Sequence, residues 1–351
     1  MDDIFLEDMS MELESNMSDY DYNYTDATPK PLCNPKYSND LGSKLSVLYY
    51  FMFIFSLVGN SLVLVIIHRF ERLTTVTNIM LLNLVISSFI FMSSLPFVAV
   101  YMQLQNWIFG NAVCKIIRSV YFLGIYSSVL FLTLLTFDRH LAVVYPLKAS
   151  SVRNPKYAFF SCAVVWIVSA VVCIRPMLLY STFPGLATYC EVHQGSLSFD
   201  IANKLMEAGF YLQLILFFIF PVIVIVYCYL RIGFTVMSSR IVSKFKTVRL
   251  IFVIVLLFFI SWAPFNILTL MEARVTSCDE RQMIEYRLQI TRNLAYLYYC
   301  ISPLLYTFIG RKFQNYFRQL MVKYFPALKK YISVTEVSRT NLSTKSTRNE
   351  L

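Results

Sequence analysis

The chain has 351 residues, 57% of them hydrophobic and only 15% charged, which is too apolar for an ordinary soluble domain and too evenly apolar for a soluble domain on one anchor. Its formal charge of +10 does not argue for nucleic acid as a partner, because much of the basic excess lies between apolar runs, where it reports membrane orientation. The three histidines, His68, His140 and His193, are scattered and form no catalytic or metal-binding constellation, which argues against an enzyme.

Residues 1–44 are expected to form an acidic extracellular arm. Within 1–32, nine acids (Asp2, Asp3, Glu7, Asp8, Glu12, Glu14, Asp19, Asp21, Asp26) stand against one base, Lys30, so the arm needs a basic partner. Asn16-Met17-Ser18 and Asn23-Tyr24-Thr25 are glycosylation sequons. Tyr20, Tyr22 and Tyr24 alternate with acids, a setting suited to sulfation, and a disordered acidic tail is the plainer reading of the same composition. No short apolar segment with an Ala-x-Ala cleavage site precedes the first span, so that span is expected to act as its own insertion signal.

Seven stretches free of Asp, Glu, Lys and Arg follow: Leu45–Ile67, Ile79–Gln105, Ser119–Phe137, Tyr157–Ile174, Ala208–Leu230, Leu250–Met271 and Asn293–Gly310. Each is long enough, at about 17 to 25 residues, to cross hydrocarbon as a helix, and none keeps the polar face of a soluble helix. The fold class expected is an all-α membrane protein, a seven-transmembrane-helix bundle over 45–310. In chain order the spans carry Gly59-Asn60, Trp166 in span four, Pro221 in span five, Ser261-Trp262-Ala263-Pro264 in span six and Ser302-Pro303-Leu304-Leu305-Tyr306 in span seven. A mid-helix proline frees a carbonyl and kinks the helix, making it a candidate hinge. Asp138-Arg139-His140 closes span three and sets opposite charges where hydrocarbon ends, the form of a switch that pairs when shut and releases Arg139 when the helices part.

Basic residues cluster after span one (Arg69, Arg72), span three (Lys148, Arg153, Lys156), span five (Arg231, Arg240, Lys244, Lys246, Arg249) and span seven (Arg311, Lys312, Arg318, Lys323). All four segments fall on one side, so the N-terminus is expected outside. Cys162, Cys173, Cys228 and Cys300 then lie in apolar runs as buried thiols. Cys33, Cys114, Cys190 and Cys278 face the oxidising side, where two disulfides are favoured among three pairings, with Cys114–Cys190 and Cys33–Cys278 preferred. Past Gly310, Phe313, Phe317, Leu320, Met321 and Tyr324 recur at helical spacing among bases, predicting a short amphipathic helix on the bilayer surface over 311–325. Residues 326–351 read as a disordered, Ser/Thr-rich cytoplasmic tail open to phosphorylation.

The joint order of these motifs resembles rhodopsin-like (class A) G-protein-coupled receptors from about residue 45 to 325. Asp138-Arg139-His140-Leu141-Ala142-Val143-Val144, the acidic tyrosine-bearing arm with its own cysteine, and Trp107-Ile108-Phe109-Gly110 before Cys114 are similar to chemokine receptors. CC-type receptors typically place a glutamate high in span seven, whereas Arg292-Asn293-Leu294-Ala295 resembles the XC type, as do Glu285-Tyr286, Tyr126-Ser127-Ser128 and Phe131-Leu132-Thr133.

The resemblance implies a plasma-membrane receptor that captures a basic chemokine on its arm, Tyr20, Tyr22 and Tyr24 included, and admits the chemokine's N-terminus to a pocket. Tyr49, Tyr121, Glu207, Gln213, Glu272, Arg292 and Tyr296 are the candidate pocket residues. Arg292 is expected either to receive a ligand carboxylate or to pair with Glu272, the plainer alternative being a structural arginine that snorkels to water. Trp262 would sense ligand depth and Pro264 would let span six swing, while freed Arg139 would turn toward Tyr229 and, beyond Pro303, Tyr306. A heterotrimeric G protein, mostly of the inhibitory class, would dock there, followed by receptor kinases and arrestin. No cofactor and no metal are implied.

Two departures stand out. Ser88 occupies the place of a nearly invariant family Asp, and Ser302 that of the Asn before Pro303; these, with Ser128, normally help hold a sodium ion. His140 replaces Tyr and Val98 a frequent Trp. An opsin would need a lysine in span seven, and a transporter internal repeats and mid-membrane charge; the sequence has neither. A chemokine scavenger that internalises ligand without G-protein coupling is the remaining rival.

Overall fold

The computed structural model describes residues 41–70, 75–185, 187–192, 198–238, 245–272, 277–309 and 311–326. Its helices are α1 (Leu41–Phe70), α2 (Val76–Ser93), α3 (Leu95–Leu104), α4 (Gly110–Val144), α5 (Pro146–Val152), α6 (Pro155–Leu179), α7 (Phe199–Leu214), α8 (Phe220–Ser238), α9 (Phe245–Glu272), α10 (Cys278–Ile309) and α11 (Arg311–Tyr324). Strands β1 (Tyr180–Pro184) and β2 (Thr188–Val192) form an antiparallel hairpin between α6 and α7, an element the apolar runs did not predict.

Among the described residues six segments are long and apolar enough to cross a membrane: α1, α2 with α3, α4, α6, α7 with α8, and α9. The seventh member of the bundle, α10, has 32 residues, but Asp279, Glu280, Arg281, Glu285, Arg287 and Arg292 occupy its first part. Only its stretch from Asn293 onward suits hydrocarbon. Large apolar side chains such as Phe51, Phe160, Ile223 and Ile260 are more than half exposed, the outer shell expected of helices solvated by lipid rather than water.

Helix α4 is the central post, packed against α2, α6, α8, α9 and β1. Its approach to α2 depends on Gly124: a Cβ there would lie 2.5 Å from both the Cβ and the backbone nitrogen of Phe91, so any side chain would force the helices apart.

Prolines explain most of the irregularity. Span two was expected to run unbroken from Ile79 to Gln105, but it turns at Ser94, because Pro96 has no N–H for the Met92 carbonyl and its ring crowds that group. Ser94 offers both its N–H (3.2 Å) and its hydroxyl (2.7 Å) to the Phe91 carbonyl instead. In span five the chain forms a π turn, Ile215–Ile219, just before Pro221. The wider turn accommodates the proline ring and brings the Phe217 ring onto Tyr126, with centroids 3.9 Å apart and planes at 15°.

One end of the bundle is roofed by the hairpin. Cys190 on β2 is bonded to Cys114 on α4. The loop before α4 grips the other side of the hairpin: the Trp107 N–H donates to the Thr188 carbonyl at 2.8 Å, and Asn106 Oδ1 accepts from the Thr188 N–H at 2.8 Å. Buried Trp107 packs with Cys114, Ile117 and Cys190 and donates its Nε1 proton to the Gly110 carbonyl. At the opposite end α11 folds back, stacking Tyr316 on Phe70 of α1 with centroids 4.9 Å apart.

Candidate functional site

Below the hairpin the bundle narrows to an aromatic floor with a cation in it. Tyr296 of α10 donates its hydroxyl to that of Tyr121 on α4 at 2.9 Å, and Tyr49 of α1 meets Tyr296 edge-on at 5.7 Å. Phe91 of α2 wedges beneath, with centroids 5.5 Å from Tyr121, 5.1 Å from Tyr296 and 4.2 Å from Tyr299. One turn above Tyr296, the Arg292 guanidinium lies 5.8 Å from the Phe265 ring centroid of α9, and its charge acts on Tyr296, Tyr121 and Tyr49. The expected alternative partner, Glu272, makes no ion pair with it: among the described residues both ion pairs belong to Asp138.

A second arginine, Arg118, stands one turn above Tyr121 on α4. Its Nη2 donates to the Cys190 carbonyl at 3.1 Å and its guanidinium lies 5.1 Å over the Tyr180 ring. Sequence reading passed over it, although its spacing of three from Tyr121 places both on one helix face. The same reading missed Phe91, Phe265 and Gly124, which carry no charge to mark them.

Deeper, between α4, the π turn and α9, a cavity of about 20 Å³ is lined by Tyr126, Gln213, Phe217, Phe258, Trp262 and Asn266. That is room for one water. The Tyr126 hydroxyl and the Trp262 indole N–H are both buried there without a hydrogen-bond partner among the described residues. Asn266 donates to the Trp262 carbonyl at 2.9 Å. Gln213, a candidate pocket residue, and Trp262, the expected depth sensor, thus border the same space, whereas Glu207 is exposed on α7.

At the other end Asp138 is fully buried and carries two arginines. Arg139 donates one bond, Nη2 to Oδ2 at 2.9 Å. Arg153, counted only as an orientation charge in the sequence, donates two, Nε to Oδ1 at 2.6 Å and Nη2 to Oδ2 at 2.9 Å. Tyr229 of α8 is within electrostatic reach of Arg139 and meets Phe252 of α9 edge-on at 5.0 Å. His140 is buried among Phe137, Tyr145 and Tyr227, with neither ring nitrogen paired among the described residues.

Between the two ends, the Ser88 hydroxyl donates to the Leu84 carbonyl at 3.1 Å and that of Ser128 to the Gly124 carbonyl at 2.7 Å. Ser302 is buried beside Pro303, and Pro264 lies inside α9. Asn16, Tyr20, Tyr22, Asn23, Tyr24 and Cys33 lie outside the described residues, as do the side chains of Cys278 and Tyr306.

The family model of the seven-transmembrane receptor (rhodopsin family) matches residues 59–306. The chain is 33% identical to C-C chemokine receptor type 1 of Homo sapiens over 96% of this chain and 98% of that protein. It is 34% identical to C-C chemokine receptor type 1 of Macaca fascicularis, over 91% of this chain and 93% of that one. Identity to C-C chemokine receptor type 3 of Cavia porcellus is 31%, over 86% and 84%.

Proposed function

This chain belongs to the chemokine receptors of the rhodopsin family of G-protein-coupled receptors, and from that membership we propose that it is a cell-surface receptor for a basic chemokine, coupled to a heterotrimeric G protein of the inhibitory class. In this reading the N-terminus and the hairpin face outward. The arm of residues 1–44 attracts the chemokine over about a Debye length, roughly 8 to 10 Å in physiological salt. The chemokine's N-terminal segment then enters under the hairpin.

The observation that carries the ligand assignment is Arg292, a cation set among tyrosines with no acid paired to it among the described residues. A charge left in that position favours an incoming carboxylate, so the ligand is basic in its body and acidic near its N-terminal tip. The relatives above are of the C-C type; the XC-type likeness rests on Arg292-Asn293-Leu294-Ala295.

Depth of insertion is read at Trp262, which lines the same cavity as Gln213. Pro264 and Pro303 give spans six and seven the hinges that opening requires. Arg139 then leaves Asp138 for Tyr229 and Tyr306, and the C-terminal helix of the G protein occupies the cleft, with receptor kinases and arrestin acting later on the tail.

A second reading, ligand scavenging without G-protein coupling, draws on His140 in the place of the usual Tyr, since that residue adjoins the docking face. A chemokine panel on cells expressing the full chain tests both. Falling cyclic AMP and rising calcium, both abolished by pertussis toxin, are expected; arrestin recruitment and internalisation with both second messengers flat would establish scavenging instead.

A further inference from the structure

We infer that Arg153 is a positioning residue for the switch: it holds Asp138 in place so that Arg139 departs by exchange instead of stripping a buried carboxylate of its last partner. The geometry of the three side chains carries this. Arg153 takes the fork position, Nε and Nη2 each on a different oxygen of Asp138, the arrangement that gives an arginine–carboxylate pair its strength. Arg139 is left with one bond to an oxygen it must share, and its own Nε is buried with no partner among the described residues.

Arg153 is itself fixed from both sides. It follows Val152, the last residue of α5, and its N–H donates to the Ala149 carbonyl at 2.9 Å. The next residue, Asn154, caps α6, accepting the Tyr157 N–H on its side-chain oxygen at 2.8 Å. The donor fork is therefore built into the corner between α5 and α6, independent of where Arg139 goes.

Two consequences follow. Asp138, fully buried, never becomes an unpaired charge when Arg139 swings out, which removes the largest electrostatic obstacle to opening. Conversely, without Arg153 both carboxylate oxygens fall to Arg139, whose idle Nε would complete a fork of its own. Loss of a basic residue from this corner should therefore tighten the switch.

The inference rests on the proposed switch role of Arg139, and the test separates the two. Full-length receptor in lipid nanodiscs, with a fluorine label attached through Lys246→Cys near the inner end of α9, reports the ratio of open to closed bundle by NMR without chemokine or G protein. Asp138→Asn is expected to raise the open fraction; if it does not, the switch role fails and the inference with it. Arg153→Gln is expected to lower the open fraction roughly threefold or more, Arg153→Lys to lower it less, and Arg153→Gln to change nothing further once Asp138 is Asn. An unchanged or raised open fraction in Arg153→Gln, or an equal fall with and without the carboxylate, overturns the inference. Should Arg153→Gln not fold, the same signs are read from Arg153→Lys, which can place one donor where the fork placed two.

Discussion

Ser56 of α1 donates its hydroxyl to the Tyr299 carbonyl of α10 at 3.0 Å, and this is the carbonyl that Pro303, four residues on, leaves without a helical donor. Asn60 reaches the same oxygen at 3.4 Å while donating to the Ser56 carbonyl at 3.0 Å and hydroxyl at 2.9 Å. The carbonyl freed by Pro303 in span seven is thus satisfied from span one. Ser56→Ala should leave the carbonyl to Asn60's long bond and destabilise the receptor by about 1–2 kcal/mol, and Asn60→Ala, which removes three contacts, by more. Thermal unfolding of the purified variants in one detergent checks this; a Ser56→Ala protein melting with the wild type would show that the carbonyl needs no partner.

Gly124→Ala should be disabling although it adds one methyl group. The new Cβ would meet the Phe91 Cβ, Cα and backbone nitrogen within 2.6 Å, and backbone atoms cannot rotate away. Surface expression and ligand binding should both fall. Truncating the ring in a Gly124→Ala/Phe91→Ala double variant should not rescue them; rescue would place the conflict in the ring and not in the helix approach.

The bundle was legible because charge-free runs of membrane length are a one-dimensional signal. Asp138-Arg139 and Arg292 stood out for the same reason, as charges in the wrong solvent. Pairings were not legible. Nothing in Arg153 distinguished it from Lys148 or Lys156 until the turn between α5 and α6 brought it to Asp138. The break at Ser94 and the π turn at Ile215–Ile219 lay hidden because Pro96 and Pro221 announce a defect but not how the chain absorbs it. The hairpin was missed because five-residue strands beside a cysteine leave no periodicity long enough to separate from loop.

Agonist binding should be insensitive to sodium. The Ser88 and Ser128 hydroxyl protons are both committed to carbonyls of their own helices, and with Ser88 in the place of a carboxylate a buried cation would have only neutral oxygens around it. Chemokine binding to membranes is measured as sodium chloride replaces the chloride of a large organic cation at fixed ionic strength. A substantial fall in affinity with sodium would refute the prediction.

Arg292 and the acidic arm should control different kinetic steps. If the arm steers the ligand through solvent as proposed, replacing the acids of residues 1–32 with their amides should slow association and flatten its salt dependence. Arg292 sits on the floor among Tyr49, Tyr121 and Tyr296, where the proposed bond to a ligand carboxylate would form only after entry. Arg292→Gln should therefore speed dissociation and lower agonist potency about tenfold or more, with association nearly unchanged. The pairing is checked by a double-mutant cycle: replacing an acid near the chemokine N-terminus with alanine should weaken binding to the wild-type receptor and not to Arg292→Gln. Equal losses on both receptors would mean that the arginine shapes the tyrosine floor without meeting the ligand, and Arg292→Lys would then restore little.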